Sequence, residues 1–518
     1  MKSWFLASTA LAAAASATPL WAMDAAGSAN AIEEVVVTAQ KRAENIQDVP
    51  LSIMAMSDKT LEAKNVDEVK GLERMVPNLR IDTIAQSAGV SLRIRGFGSS
   101  SNTAIDPSVA PYIDGVFIPR PGAVLTTFLD VEGVEVLRGP QGTLFGRNAT
   151  VGAIAIRTHA PDPHGFKGRA AAEVGNYGAW QLEGMANMPL NDTFALRLAA
   201  IGNHTDGYVD NALDGRTYGE SETGAARLSA RWDITPELTW IVRGDYARTS
   251  GDGVALGPVD TSTATAAQLA NFRARLGGNP PTLGYPPRYE TNQLFTNLNL
   301  TDRQYGIASD LTWEIGGGYS LRMINAFRDW KNEQSDGDIL FTPLNIANRD
   351  SRFDSESQSH ELQLISPKSA YLGGRLDFIA GLYYFDEDYA IGEVFNLGTQ
   401  YCSFAVAAAA PALVPACNAG PKVGAANNLF EQSAQSTAVY AQANFALTSS
   451  LDLTLGARQT WDEKVGSFVQ TISNPGAALL RSPENVKLGF DDSQPNWRAS
   501  LSWRATPDFM AFVTYATG

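Results

Sequence analysis

Positive charge, cysteine, histidine and long apolar runs are all scarce in this chain. Forty lysines and arginines face 55 aspartates and glutamates over 518 residues, a formal charge of −15. That balance argues against a nucleic-acid partner, whose phosphates demand basic patches. The four histidines, His159, His164, His204 and His360, are scattered, with no HExxH spacing. There is no CxxC, GxSxG, phosphate-binding loop or dinucleotide fingerprint, so a catalytic reading lacks footing and no cofactor is expected. No segment approaches the roughly 20 uninterrupted apolar residues of a membrane helix. The longest candidate, 405–416, is Ala/Pro-rich and reads as loop.

The N-terminus sets the compartment. Lys2, the apolar run Trp4 to Ala15 and the small residues Ala15-Ser16-Ala17, with a second possible cut after Ala22, make residues 1–22 a secretory signal peptide. In an exported chain, Cys402 and Cys417 are expected to form a disulfide across a surface loop rather than stay free. A soluble periplasmic protein and an outer-membrane β-barrel both remain open at this point.

Downstream, in the flexible stretch 23–43, lies IEEVVVTAQKR, Ile32 to Arg42. Its valines and threonine are strand-prone, yet the surroundings are polar and Ala/Gly/Ser-rich. Two readings stand. It is a strand awaiting a partner, as in β-augmentation, or the first edge strand of the adjoining folded unit.

From Gly168 onward, segments of about ten residues alternate apolar and polar. Phe194, Leu196, Leu198 and Ala200 share one face, as do Leu376, Phe378, Ala380, Leu382 and Tyr384, and again Leu451, Leu453, Leu455 and Ala457. Short turns near 189–193, 235–237, 314–318, 447–450 and 504–507 alternate with long excursions near 203–222, 247–303, 331–356, 386–434 and 460–490. This parity is that of a transmembrane antiparallel β-barrel, with short periplasmic turns and longer extracellular loops. About thirteen strands are expected. Because barrels of this type carry even strand numbers, with plugged transporters at 22, a C-terminally truncated barrel is expected.

Between these parts, residues 44–160 read as a mixed α/β unit. A helix is expected from Ser57-Asp58 with Val66, Val69, Leu72 and Met75 at helical spacing, ended by Pro77. Strands are expected at Val90–Arg95, Ala110–Val116, Val134–Leu137 and Ala153–Arg157. Gly139, Gly142 and Gly146 read as turn glycines rather than a phosphate cradle.

The ordered motifs IEEVVVTAQKR, QDVPLSI (Gln47 to Ile53), LRIRG (Leu92 to Gly96), PYIDGV (Pro111 to Val116) and VEVLRGPQGTLFGRNATVGAIAI (Val134 to Ile156) strongly resemble TonB-dependent outer-membrane receptors. The resemblance covers the whole chain. It implies a TonB box at 32–39, with Glu34, Val35, Val36, Val37 and Thr38 binding TonB, a plug domain at 44–160, and the N-terminal part of the barrel at 165–518. It further implies a Gram-negative outer membrane, contact with its lipid, a monomer, and import of a scarce ligand energised through TonB, ExbB and ExbD. The ligand expected is a ferric siderophore or related iron complex, with a carbohydrate as the alternative. Family counterparts of the plug arginines Arg95 and Arg138 tend to pair with inward carboxylates on the wall, with Glu361 the candidate partner; the alternative is that both arginines simply hold the plug's own fold. Phe97, Asn102, Phe117 and Arg120, on outward plug loops, are the candidate ligand contacts, with a structural or solvated role the alternative for each. The excursion 331–356 carries Glu333, Asp336, Asp338, Asp350, Asp354 and Glu356 against Lys331, Arg349 and Arg352, which suits a highly anionic chelate poorly.

Overall fold

The computed structural model describes residues 36–518 except 39, 84–86, 125–127, 212, 254–264, 267–269, 271–289, 292–293, 295–297, 340–343, 369–370 and 507–508. The signal segment and the first half of the expected TonB box, including Glu34 and Val35, therefore lie outside the described residues.

The chain opens with a two-stranded ribbon, β1 (Val36–Val37) and β2 (Glu44–Asn45), paired antiparallel. The plug begins with β3 (Ile53–Ser57) and α1 (Asp58–Ala63). The Ser57 side chain caps α1 by accepting from the Thr60 amide. The long helix expected from the spacing does not form. Asn65 adopts a left-handed backbone, φ 52°, that ends α1, and the apolar residues resume in a separate 3-10 turn, Val69–Arg74. Next come β4 (Leu79–Thr83), β5 (Val90–Ile94) and β6 (Phe97–Gly98), one small sheet. After them come β7 (Val109–Ile113), β8 (Val116–Phe117), β9 (Val131–Arg138) and β10 (Gly152–Thr158). These join β3 in a sheet of order β3-β9-β10-β7-β8. Val134, Val136, Ile154 and the β4–β5 residues Ile81, Leu92 and Ile94 fill its core.

The wall starts with β11 (Lys167–Val174), β12 (Trp180–Asn191) and β13 (Phe194–Thr205). A rim excursion carries β14 (Val209–Asn211) and β15 (Thr217–Tyr218). The wall resumes with β16 (Ser221–Thr235) and β17 (Leu238–Gly251), and β18 (Glu290–Thr291) joins the rim sheet. Then come β19 (Asn299–Gly316), β20 (Tyr319–Asp338), β21 (Ala347–Ile365) and β22 (Leu376–Leu397). The last four are β23 (Ala426–Ala446), β24 (Leu451–Ile472), β25 (Glu484–Thr506) and β26 (Phe509–Ala516). These wall strands form one 13-stranded antiparallel sheet in sequential order, the number expected from the pattern.

Side-chain alternation explains the sheet's two faces. On β13, Ala195, Arg197 and Ala199 are buried inward while Leu198 is 45% exposed outward. Trp232, Trp240, Trp313 and Trp503 stand outward beside the short turns, with Tyr246, Tyr305, Trp461 and Trp497 farther along. Tyr305 and Trp313, eight positions apart on β19, are separated by about 26 Å of strand at about 3.3 Å per residue. That suits an apolar band about 25 Å tall flanked by aromatic girdles.

The long connections are shorter than their polarity suggested. The expected excursion 331–356 is mostly strand: β20 runs to Asp338 and β21 starts at Ala347. Its outward acids Glu333, Asp350, Asp354 and Glu356 occupy strand positions that continue past the apolar band, where a side chain meets water and needs no apolar character. The connection after β22 holds short helical turns and the Cys402–Cys417 disulfide, packed with Leu344, Ile346, Phe395 and Tyr401 in a small rim core.

Candidate functional site

The strand-prone segment is docked at the short-turn end of the wall. Val36 lies opposite Asn45, and Val37 is completely buried. Thr38 donates its amide and its hydroxyl to Glu135 Oε1 of β9, at 2.7 and 3.1 Å. Gln40 accepts from the Gln442 side chain of β23 at 2.9 Å. Lys41 reaches Glu361 of β21 at 3.1 Å, both nearly buried, and Tyr440 also donates to Glu361, at 2.6 Å. Arg42 pairs with Asp377 at 3.0 Å and donates to the Phe378 carbonyl at 2.6 Å. Contacts of Val37, Thr38, Gln40, Lys41 and Arg42 thus hold the segment against plug and wall. A cavity of about 270 Å³ adjoins them, bounded by Thr38, Lys41 and Arg42, by plug residues Tyr112 and Asp114, and by Arg243 and Arg322 of the wall. Burial pushes the Glu135 carboxyl up, and the Thr38 hydrogen bonds offset this only in part.

Glu361 of the wall thus pairs with Lys41 of the N-terminal segment, not with Arg95 or Arg138 of the plug. Arg95 sits in the turn after β5 with φ 56° and donates to Ser52 Oγ at 3.1 Å. Arg138 ends β9, its amide bonded to the Ser52 carbonyl and its Nε buried without a hydrogen-bond partner. Both arginines end plug strands beside Ser52, and Lys41 occupies the carboxylate instead. The signal that could have pointed to it is the pair Lys41-Arg42 placed directly after the valines, matched by the inward positions of Glu361 and Asp377.

A second buried plug-to-wall contact lies higher. Arg120 is 3% exposed and forms two 2.7 Å hydrogen bonds to the Glu387 carboxylate of β22, stacks 3.8 Å over Tyr389 and donates to the Thr103 carbonyl at 3.1 Å. It is thus a plug–wall lock rather than a ligand contact, because every face of its guanidinium is occupied. Beside it, Asp106 meets Arg147 at 2.9 Å, Lys464 of β24 at 2.6 Å and Arg120 at 3.8 Å. Burial alone would raise the Asp106 carboxyl, but these three cations hold it far below the ordinary carboxylate range. Gly146 adjoins this cluster with φ 83°. A Cβ there would collide with the Arg458 guanidinium, so the turn needs glycine for both conformation and clearance.

The other expected ligand contacts divide. Phe117 is 2% exposed and packs against Tyr112 and Phe385, each ring 5.6 Å away, so it belongs to the plug–wall core. Its sequence position on an outward loop was misleading, since β8 turns that ring toward the wall. Asn102 caps its own turn through the Ala104 amide at 3.0 Å, and Phe97 is 72% exposed. Among the described residues no group of three or more His, Cys, Asp or Glu is arranged to hold a metal ion.

Comparison with known proteins places this geometry. Residues 249–518 match the family described as TonB dependent receptor-like, beta-barrel, and residues 45–153 match the TonB-dependent Receptor Plug Domain. The pesticin receptor of Yersinia pestis is 35% identical over 141 residues, 26% of this chain and 20% of that protein. The catecholate siderophore receptor Fiu of Escherichia coli UTI89 is 29% identical over 220 residues, 40% of this chain and 28% of that protein. The matched segments thus span a fifth to somewhat over a quarter of these relatives' length. Among solved structures, the ferric yersiniabactin uptake receptor FyuA from Yersinia pestis superposes with a TM-score of 0.71 at 17% identity, covering 90% of this chain and 64% of that one. The siderophore receptor PiuA from Acinetobacter baumannii gives 0.70 at 16% identity, covering 91% and 65%.

Proposed function

Because this chain belongs to the TonB-dependent receptor family, we propose that it acts in a Gram-negative outer membrane, importing a ferric siderophore or related iron complex with work supplied through TonB, ExbB and ExbD. The carrying observation is the docked segment 36–42: a strand-prone handle whose side chains are tied to plug and wall at the periplasmic end. A wide barrel admits water unless its lumen is filled. The plug fills it, and the strand-prone handle, once released from its docked position, offers a periplasmic partner a main-chain edge to grip by strand addition. In this reading Glu34, Val35, Val36, Val37 and Thr38 meet TonB; Lys41, Glu361, Arg120 and Glu387 couple plug to wall; Phe97 and Asn102 face the ligand. The outward apolar face contacts lipid, and the protein works as a monomer.

The iron assignment draws on the names of the relatives, siderophore and iron receptors among them. Carbohydrate uptake is the competing cargo. Val36→Pro removes a main-chain donor from the handle and is expected to abolish energised uptake while ligand binding stays intact. Persisting uptake would remove the handle assignment. Growth of a deletion strain under iron limitation and on oligosaccharides separates the cargoes, because only the limiting nutrient's import should fail.

A further inference from the structure

The outer face of the wall carries three cations side by side. Arg248 of β17 lies opposite Arg303 of β19, and Arg303 lies opposite Lys331 of β20. Alternate side chains on a strand share a face, so Arg248 and Arg303 stand outward with Tyr246 and Tyr305. Arg248 and Arg303 are exposed, and the Lys331 side chain is 35% exposed. Neighbouring strands lie about 4.8 Å apart, and like charges directly opposite one another destabilise a sheet. Among the described residues the row's one ion pair is Lys331 with Asp329, at 3.7 Å. Asp354, opposite Lys331, is already held by Arg352 at 2.6 Å.

The height of the row matters. Tyr246 and Tyr305 stand at the far edge of the apolar band, and the cations lie two residues beyond them. That is about 6.6 Å along the strand, the level of lipid headgroups above an aromatic girdle. Small outward residues lead from the row toward the band. Gly224 lies opposite Arg248, Ala226 lies opposite Tyr246, and Gly244 sits between Leu228 and Ile307, which are 52% and 55% exposed. A Cβ at Gly224 would meet nothing within 4 Å, and one at Gly244 only the Gly306 carbonyl, at 4.0 Å. A shallow groove with apolar ridges therefore runs down from the cations.

We propose that this face holds a lipid with a phosphate-bearing headgroup, its phosphate on Arg248 and Arg303 and an acyl chain in the groove. Guanidinium groups match phosphate oxygens by paired hydrogen bonds, and an anion between them cancels the repulsion within the row. Asp329, Glu356 and Asp388 stand side by side in the adjoining row on β20 to β22. They repel phosphate and confine the headgroup to the β17–β19 side. The inference rests on the outer-membrane reading and names the lipid chemistry its wall selects.

The test titrates the purified full chain, in an uncharged detergent, with diphosphoryl lipid A, with phosphatidylcholine and with inorganic phosphate, and reads bound lipid by native mass spectrometry. Each basic side chain near an anionic lipid surface strengthens binding roughly fivefold. Arg248→Gln and Arg303→Gln should therefore each weaken diphosphoryl lipid A binding by about that factor, less at high salt, and leave phosphatidylcholine unchanged. Arg352→Gln, outside the row, should leave both lipids unchanged. Both row substitutions lie at exposed positions, and Arg303→Gln, which removes a like charge between two others, should not lower the unfolding temperature of the lipid-free protein. Lipid A binding unmoved by either row substitution, or weakened equally by Arg352→Gln, overturns the site. Displacement of lipid A by equimolar inorganic phosphate overturns the lipid as its occupant. Retention of phosphatidylcholine with no preference for lipid A sinks the inference and leaves the outer-membrane reading standing, whereas retention of neither lipid overturns both.

Discussion

Replacing Lys41 with methionine isolates the latch on the handle. The substitution keeps the aliphatic stem and removes the ammonium that donates to both Glu361 oxygens, at 3.1 and 3.2 Å. A hydrogen bond to a charged group contributes about 1.5–3 kcal/mol, and Glu361 would retain Tyr440 as a donor. Docking of the handle should weaken by that amount. While docked, β1 is paired with β2 and the Thr38 amide is committed to Glu135, so TonB can add a strand only to the released form. Apparent affinity scales with the competent fraction. Lys41→Met should therefore bind the purified TonB C-terminal domain roughly 10- to 150-fold more tightly, up to the ceiling where the handle is fully free. Glu361→Gln should move affinity the same way by less, since Tyr440 can still donate to its amide oxygen. The assay is calorimetric titration of the detergent-solubilised receptor with that domain, and ligand affinity should stay unchanged. Unaltered or weaker TonB binding by Lys41→Met would refute the idea that the docked state hides the handle.

The plug contacts carry two other expected outcomes. Arg120→Met strands the buried Glu387 carboxylate and should destabilise plug docking by about 3–5 kcal/mol, whereas Arg120→Met with Glu387→Leu should recover most of the loss; protease cleavage of the plug across a urea series reads both, and equal losses in single and double variants would sink the lock. Glu135 has its carboxyl raised by burial, so its contribution to docking is most favourable below about pH 4.5, its unfolded range, and is lost as pH rises through the raised folded value. Glu135→Gln should erase that decline in a pH series of plug stability; an unchanged profile would mean that another group titrates.

The wall was the most legible part of the sequence because period-two alternation is imposed residue by residue, with lipid on one side and plug on the other. The thirteen strands and the short turns were readable from Leu196, Leu198 and their equivalents alone. Strand lengths were not, because beyond the apolar band an outward Asp354 or Glu356 costs nothing and hides the strand among polar residues. The disulfide was readable from compartment and cysteine count. Pairings across the lumen were the least legible. Nothing local in the sequence says that Lys41 will face Glu361 across 320 positions, or that Arg120 rather than Arg138 will meet a wall carboxylate. Such contacts depend on how the plug sits in the barrel, which no single strand encodes.

The distribution of these pairs bears on how a plug can be both secure and removable. Buried ion pairs add little net stability, since desolvation offsets attraction, yet breaking one alone strands a charge at high cost. A plug held by them resists random opening, which must strand several charges in a low-dielectric space at once. A pull on residues 36–42 acts differently. With Lys41 already released from Glu361, it strips Arg42 from Asp377 at the periplasmic mouth, where water enters behind the departing chain and rehydrates each carboxylate as it is exposed. The adjoining cavity, walled by those same residues, gives that water a place to enter. The next plug–wall pair, Asp114 with Arg243, borders that cavity and then faces solvent rather than protein, so it separates at lower cost. Arg120 and Glu387, farther along the wall, would part late. Ordered rupture from the handle upward therefore needs less work than simultaneous release, so the same pairs can seal the lumen at rest and yield to a directed force.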